Sequence, residues 1–415
     1  MTYKLMKQGR LEPIGVPSEL PALLLNAPNL NLPITTGLDT HPLILPSGQV
    51  LDAEGLDADS GLVLHFGGAF RGSLAVDTIS PEEGLARLRE EMLGEFEFAS
   101  AADEAAALAL VLTAVERRVM DTAPGYMINA SMQGSGKTTL ARMVHLLVTG
   151  HDLPVAGMSE SLDEQDKALT AMLLTSAPIV CFDNLPDGAL VASRVLARVL
   201  TSSTHTGRVL GLSKMAEVPV RAVYVVTGNN ITANIDLSRR LLEVRLAPQV
   251  ERPEQRRFKH ADVVPYVRQN RVRWMQDVLA VLRGSRLPVQ AAEPSGFAQW
   301  DRIVRWPLIN VGATDHIKTF DEVRARSPDH AWQEAGMRGL LDRFGLNKAF
   351  RASDLQSPCT EILDEHLQEH PPAKGFGNVR SIGRQLGKLV GRNIAGHTLT
   401  NSTVNGATRY RVTRP

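Results

Sequence analysis

The sequence predicts an α/β protein built on a parallel sheet, with a small β-rich region ahead of that core and a helical, basic region behind it. Three observations carry this. Short apolar runs alternate with helical patterns between residues 122 and 250. One of them, Tyr126 to Ala130, enters a glycine-containing loop that ends in Gly136-Lys137-Thr138 and opens into an apolar helix pattern (Leu140, Ala141, Val144, Leu147). Another, Pro178-Ile-Val-Cys-Phe-Asp183, ends on an acid.

In chain order, residues 1–79 are punctuated by Pro and Gly and read as a β-rich appendage. Leu43 to Leu51 has the pattern of a hairpin, and Gly61 to Phe66 that of a further strand. Residues 80–121 turn helical and form a collar-like segment: Ser80-Pro-Glu-Glu is a capped helix start, and Asp103 to Met120 is rich enough in Ala and Leu for a buried helix. In the core segment, 122–250, the loop helix is followed by Leu153 to Met158, a helix from Asp163 to Leu174, the strand ending at Asp183, and a helix from Ala189 to Thr201. Arg208 to Val220 then holds two β-like runs around Ser213-Lys-Met-Ala-Glu217. The strand Arg221 to Val226 ends in Thr227-Gly-Asn-Asn230, and Leu241 to Leu246 reads as an amphipathic strand.

Residues 251–350 form a helical lid region. Val263 to Arg283 is a helix, and the aromatics of Phe297 to Trp306 fall at helical spacing, as core residues do. Residues 351–415 read as helix, helix and hairpin, the second helix being Ser381 to Val390 and the turn Asn405-Gly406. That order suits a winged-helix-like DNA-binding domain with Arg384 and Lys388 on the helix that enters a groove. The same tail suits a structural cap.

A chain of 415 residues with 43% hydrophobic and 22% charged residues has the composition of a globular protein. No apolar run approaches the ~20 residues that cross a bilayer, the start Met1-Thr-Tyr-Lys is no signal peptide, and two cysteines, Cys181 and Cys359, without C-x-x-C spacing argue against a disulfide framework or a zinc site. A cytoplasmic location without membrane partners is expected. The net charge of zero conceals a segment from Pro371 to Pro415 with eight Lys/Arg and no Asp or Glu, as in a polyanion-binding surface.

The chemistry concentrates at the strand ends. In a strand–loop–helix setting, Gln133, Gly134, Ser135 and Gly136 let backbone N–H groups turn inward around a polyphosphate, with Lys137, Thr138 and Thr139 opening the helix. Lys137 reaches β- and γ-phosphates, and Thr138 holds Mg²⁺. The first glycine of the G-x-x-x-x-G-K-[ST] pattern is Ser131 here. Asp183, delivered to the same sheet edge, is the second Mg²⁺ residue. Its neighbour is Asn184 where many ATPases carry a Glu that polarises the attacking water. Asn229 is placed to orient a water against the γ-phosphate, with Asn230 the competing choice. Arg239 or Arg240 is placed to act as an arginine finger on a neighbouring subunit. ATP and Mg²⁺ are thus the expected cofactors.

These segments resemble an AAA+ ATPase in order and spacing: Walker A (Gly134 to Thr138), Walker B (Ile179 to Asp183), sensor 1 (Asn229) and the Arg239-Arg240 pair. Phe182-Asp-Asn, Arg208-Val-Leu-Gly, Thr227-Gly-Asn-Asn, Asp236-Leu-x-Arg-Arg240 and Arg252-Pro-Glu-x-Arg256 resemble, more narrowly, the ATPase part of phage and mobile-element primase–helicases, which are similar to superfamily 3 helicases. The resemblance spans roughly residues 40–310. It implies a ring-forming, homo-hexameric DNA helicase of replication. Single-stranded DNA would lie in the channel and duplex at the C-terminal domain, with a primase as a further partner; no primase segment is found in the sequence. It also implies that Arg208 to Val220 is a channel hairpin whose tip residue Lys214 grips the DNA backbone, and that one of Arg252, Arg256 or Arg257 is a sensor-2 residue. A DNA-binding loader or switch without unwinding activity, and an ATPase that remodels proteins, are the rival classes.

Overall fold

The computed structural model describes residues 2–5, 11–14, 19, 23, 35–70, 74, 78–209, 214–249, 260, 262–289, 292–355, 379–404 and 406–415. Arg252, Arg256, Arg257 and Asn405 lie outside the described residues; of the first of the two helices expected from Ala352 on, the described part is the short 3-10 turn Ala352–Leu355. The architecture is mixed α/β around a five-stranded parallel sheet: β1 (Gly125–Ala130), β2 (Val155–Ala156), β3 (Ile179–Leu185), β4 (Val223–Asn229) and β5 (Leu241–Leu246), in the spatial order β5-β1-β4-β3-β2.

The sheet is covered on both faces, which is why its strands read as near-continuous apolar runs. Strand periodicity sorts the side chains. Tyr126, Ile128, Cys181 and Val225 face a core shared with the helices Ala101–Glu116, Lys137–Thr149 and Val263–Leu282. Met127, Val180, Phe182 and Tyr224 face a second core with the helices Leu162–Leu174 and Arg194–Val199. The Ala101–Glu116 helix is apolar nearly all round and buried accordingly. Ahead of it, Ser80 and Glu83 cap the Pro81–Arg87 helix reciprocally, an arrangement that stabilises a helix start by about 1 kcal/mol.

The N-terminal hairpin pairs Leu43–Ile44 with Val50–Leu51, and Leu62–Leu64 is a strand. Glu116 anchors this hairpin to the buried helix by accepting the Ile44 N–H at 2.8 Å. The aromatic run after Phe297 is core: Trp300 is fully buried, and Phe297 and Trp306 nearly so. A third, separate core joins Trp332, Leu340, Phe350, Ile382, Leu386, Tyr410 and Val412. It lies beneath an antiparallel sheet ordered Ala349–Phe350, Ala407–Thr413, His397–Val404, Asn393–Ile394, against the helix Val379–Leu389.

Three expectations are corrected. The helix expected from Ala189 spans only Arg194–Val199, with Ser193 as its N-cap. Leu190–Val191 instead pairs with Thr232–Ala233, because Gly188 (φ 70°) turns the chain first. The hairpin's first strand is Thr204–Arg208, ahead of the expected Arg208, and pairs with Met215–Pro219. His205 and Gly207 face the Leu162–Leu174 helix, where a Cβ on Gly207 would sit 1.9 Å from Thr170 Oγ1. Finally, β5 is buried on both faces rather than amphipathic. Its Glu243 is fully buried between Asn129 Nδ2 (2.8 Å) and Arg326.

Candidate functional site

The site lies at the carboxyl ends of β1, β3 and β4. Because β4 runs between β1 and β3, its last residues stand between the loop 131–136 and the acid-bearing strand. The loop turns on Gly134 (φ 72°) and Gly136 (φ 91°), in the left-handed region that favours glycine. A Cβ on Gly136 would also meet the Phe96 ring at 3.1 Å. Ser135 is buried and donates to the Met132 carbonyl at 2.5 Å, drawing the loop closed, while Gln133 and Gly134 are exposed on its rim. No side chain caps the Lys137–Thr149 helix, so its first-turn N–H groups are available to an anion.

Two pairs meet across the cleft. Lys137 Nζ donates to Asn229 Oδ1 at 2.6 Å and to the Met132 carbonyl at 3.2 Å. Burial lowers the Lys137 pKa, opposed by the charge of Asp183. Thr138 Oγ1 donates to Asp183 Oδ1 at 2.9 Å. Thr227, which no sequence motif marks as a site residue, donates its Oγ1 to the same Asp183 oxygen at 2.5 Å and accepts the Asn184 N–H at 2.9 Å. The signal for it was available: Thr227 lies two residues before Asn229, so strand periodicity sends both side chains the same way. Asn184 and Asn230 both adopt left-handed backbone (φ 55° and 49°). Asn230 Nδ2 is held by Asp187 at 2.9 Å, whereas the Asn229 amide faces Lys137.

The residues fit a polyphosphate and a hard divalent cation. Gly134 and Gly136 hold the loop in a left-handed backbone that other residues rarely adopt, and Thr138 and Asp183 supply adjacent oxygens. A second acidic group, Asp103, Glu243 and Glu322, brings its oxygens within 4.8 Å of one another, but Arg326 pairs Glu243 while Ser100 and the Arg245 N–H bond Asp103. Its two buried members, Asp103 and Glu243, are satisfied without an ion. Beside the loop, Thr139 helps line a cavity of about 130 Å³ with Met92, Phe96, Met143, His260 and Tyr266, the last two rings stacked 3.5 Å apart.

The arginine pair is not in this cleft. The Arg240 carbonyl accepts the Gly125 N–H at 2.9 Å, at the opposite end of six-residue β1, so the pair sits about 20 Å from its own chain's loop. Arg240 bonds the Ala197 carbonyl (2.9 Å) and Asp236 (3.1 Å), whereas Arg239, 69% exposed, is held among the described residues by Asp236. Lys214 is exposed where the hairpin ladder closes, its carbonyl accepting the Val209 N–H at 3.0 Å; the tip itself, residues 210–213, lies outside the described residues. Arg384 and Lys388 are exposed one turn apart on the Val379–Leu389 helix, whose Ile382, Leu386 and Leu389 are buried.

Fold and site define an α/β protein that gathers a lysine, a threonine, an acid and an amide at the carboxyl edge of a five-stranded parallel sheet. No protein-family model and no curated protein matches the chain. Among solved structures it is similar to the A-form apo structure of the NrS-1 C-terminal region, with a TM-score of 0.40 and 13% identity over 97% of this chain and 92% of that one. A likeness of that degree assigns no role to any residue. No helix among the described residues is long and apolar enough to cross a membrane.

Proposed function

We propose that this chain is an AAA+ P-loop ATPase that works as a ring-forming, replicative DNA helicase. The observation that carries the reading is the convergence of Lys137 with Asn229 and of Thr138 with Asp183 at one sheet edge, across 92 and 45 residues of sequence. In this reading Lys137 exchanges Asn229 Oδ1 for a phosphate oxygen when ATP enters, and the freed amide orients the attacking water. Bound Mg²⁺ would neutralise phosphate charge, held by Thr138 and Asp183. Thr227 keeps Asp183 oriented. The cavity beside Thr139 takes the base. Of the two arginines, exposed Arg239 is the one that reaches a neighbouring subunit by leaving Asp236, since Arg240 is largely buried and also donates to the Ala197 carbonyl.

Lys214 supplies one cation per subunit to a strand in the channel, a salt-sensitive and sequence-independent contact. Arg384 and Lys388 meet duplex through a winged-helix-like unit. One observation favours the loader or switch reading: the residue after Asp183 is the amide Asn184, which cannot take a proton from water as a carboxylate does. Unwinding of a forked duplex with ATP and Mg²⁺ separates the two. The wild type is expected to separate strands, and Lys214→Ala to lose more than tenfold of that rate. A wild type that hydrolyses ATP on DNA without separating strands makes the chain a loader.

A further inference from the structure

At the arginine end of the sheet a cleft of about 630 Å³ opens toward the C-terminal unit. Its basic groups come from separate parts of the chain. Arg239 precedes β5, Arg324 lies on the Lys318–Ala325 helix, His330 on the Pro328–Phe344 helix, and Arg392 between the Val379–Leu389 helix and the Asn393–Ile394 strand. Arg324 and Arg392 are exposed and form no ion pair with a described residue. The acids nearby are engaged: Asp236 is shared by Arg239 and Arg240, Glu334 lies 3.9 Å from His330, and Asp329 accepts the Ile235 N–H at 3.4 Å.

Arg239, Arg324 and Arg392 line one concavity against the single carboxylate of Asp236, which pairs Arg239, and an anion with several oxygens balances the excess positive charge through planar donor forks. The volume exceeds a single phosphate and suits a triphosphate. The geometry points to this cleft as the receptor for the triphosphate presented by a second copy of the chain, with Arg324 and Arg392 acting beside Arg239. The inference rests on the nucleotide reading above. The cleft and the glycine loop lie at opposite ends of the same strands, about 20 Å apart, so one copy cannot close the two on each other. A head-to-tail contact between copies brings them together. Arg392 then makes the C-terminal unit part of the hydrolytic site and not only a nucleic-acid tail.

The test measures binding of a fluorescent ATP analogue with Mg²⁺ and phosphate release without DNA, for wild type, Arg324→Ala, Arg392→Ala, Arg392→Lys and Lys348→Ala, the last exposed on the same unit outside the cleft. Arg324→Ala and Arg392→Ala are expected to lower the hydrolysis rate 10- to 100-fold with nucleotide Kd within threefold of wild type and an unchanged Tm, in keeping with exposed positions. Arg392→Lys should recover part of the rate, and Lys348→Ala should match the wild type. Mixing Arg392→Ala with Lys137→Ala subunits should restore hydrolysis above either alone, because some interfaces then pair an intact loop with an intact cleft. Wild-type hydrolysis in both alanine variants overturns the proposal and leaves the nucleotide reading standing. The same holds if a parallel titration with duplex DNA shows weaker DNA binding as their only defect, which makes nucleic acid the occupant. A wild type that binds no ATP overturns both.

Discussion

Replacing Lys137 by Met keeps the length of the side chain and deletes its charge. In the structure the half-buried ammonium bridges Asn229 Oδ1 and the Met132 carbonyl at 2.6 and 3.2 Å, and Asp183 beside it is held by Thr138 of the same helix. An ammonium roughly 3 Å from a phosphate oxygen, at an effective dielectric constant of about 20, gains about 5 kcal/mol. Removing that half-buried ammonium from water takes back about half. A net loss of about 2–3 kcal/mol is a 30- to 150-fold rise in nucleotide Kd. Hydrolysis should fall further, by at least about 100-fold, because charge on the transferred group grows in the transition state. Titration with a fluorescent ATP analogue and Mg²⁺, paired with phosphate release, measures both. A Kd within threefold and a rate within twofold of wild type would refute the assignment of the loop.

Two further outcomes concern the supports of the site. Burial pushes the Glu116 carboxyl up to about 8, while in the unfolded chain it titrates near the ordinary ~4.3. Between those values the unfolded chain has released a proton that the folded one keeps, so stability declines as pH rises through that window, by at most about 1.4 kcal/mol per pH unit. Glu116→Gln keeps an acceptor for the Ile44 N–H and cannot ionise; urea melts should place it close to wild type at pH 5 and more stable by about 2 kcal/mol or more at pH 8. A gap that is the same at both pH values refutes this. Arg117 donates to the carbonyls of Met120, Val220 and Ala222 at 2.5, 2.7 and 3.0 Å, pinning the root of the hairpin to the buried helix. Arg117→Met leaves the buried Val220 and Ala222 carbonyls without that donor, while Arg221 still donates to Met120, and should cost about 2–4 kcal/mol, read as a lower urea midpoint; a loss under about 1 kcal/mol contradicts the clamp.

What the sequence determined by itself was local. The capping pattern at Ser80, the glycines around Lys137 and the apolar runs of β1, β3 and β4 follow from backbone freedom, caps and strand periodicity, all readable within a dozen residues. Expectation failed where a local pattern met a distant partner. Gly188 and the Thr232–Ala233 pairing shortened the Arg194–Val199 helix, and the charged Glu243 made β5 look half-exposed although Asn129 and Arg326 satisfy it inside. Only the tertiary structure placed β4 between β1 and β3, so that Thr227 and Asn229 reach Asp183 and Lys137 over separations of 44 and 92 residues. It also distinguished exposed Arg239 from tethered Arg240, and set Arg324 and Arg392 around one cleft. The physical reason is the same in each case: strand order and charge environment are fixed by burial against residues far along the chain, and no short-range periodicity encodes them.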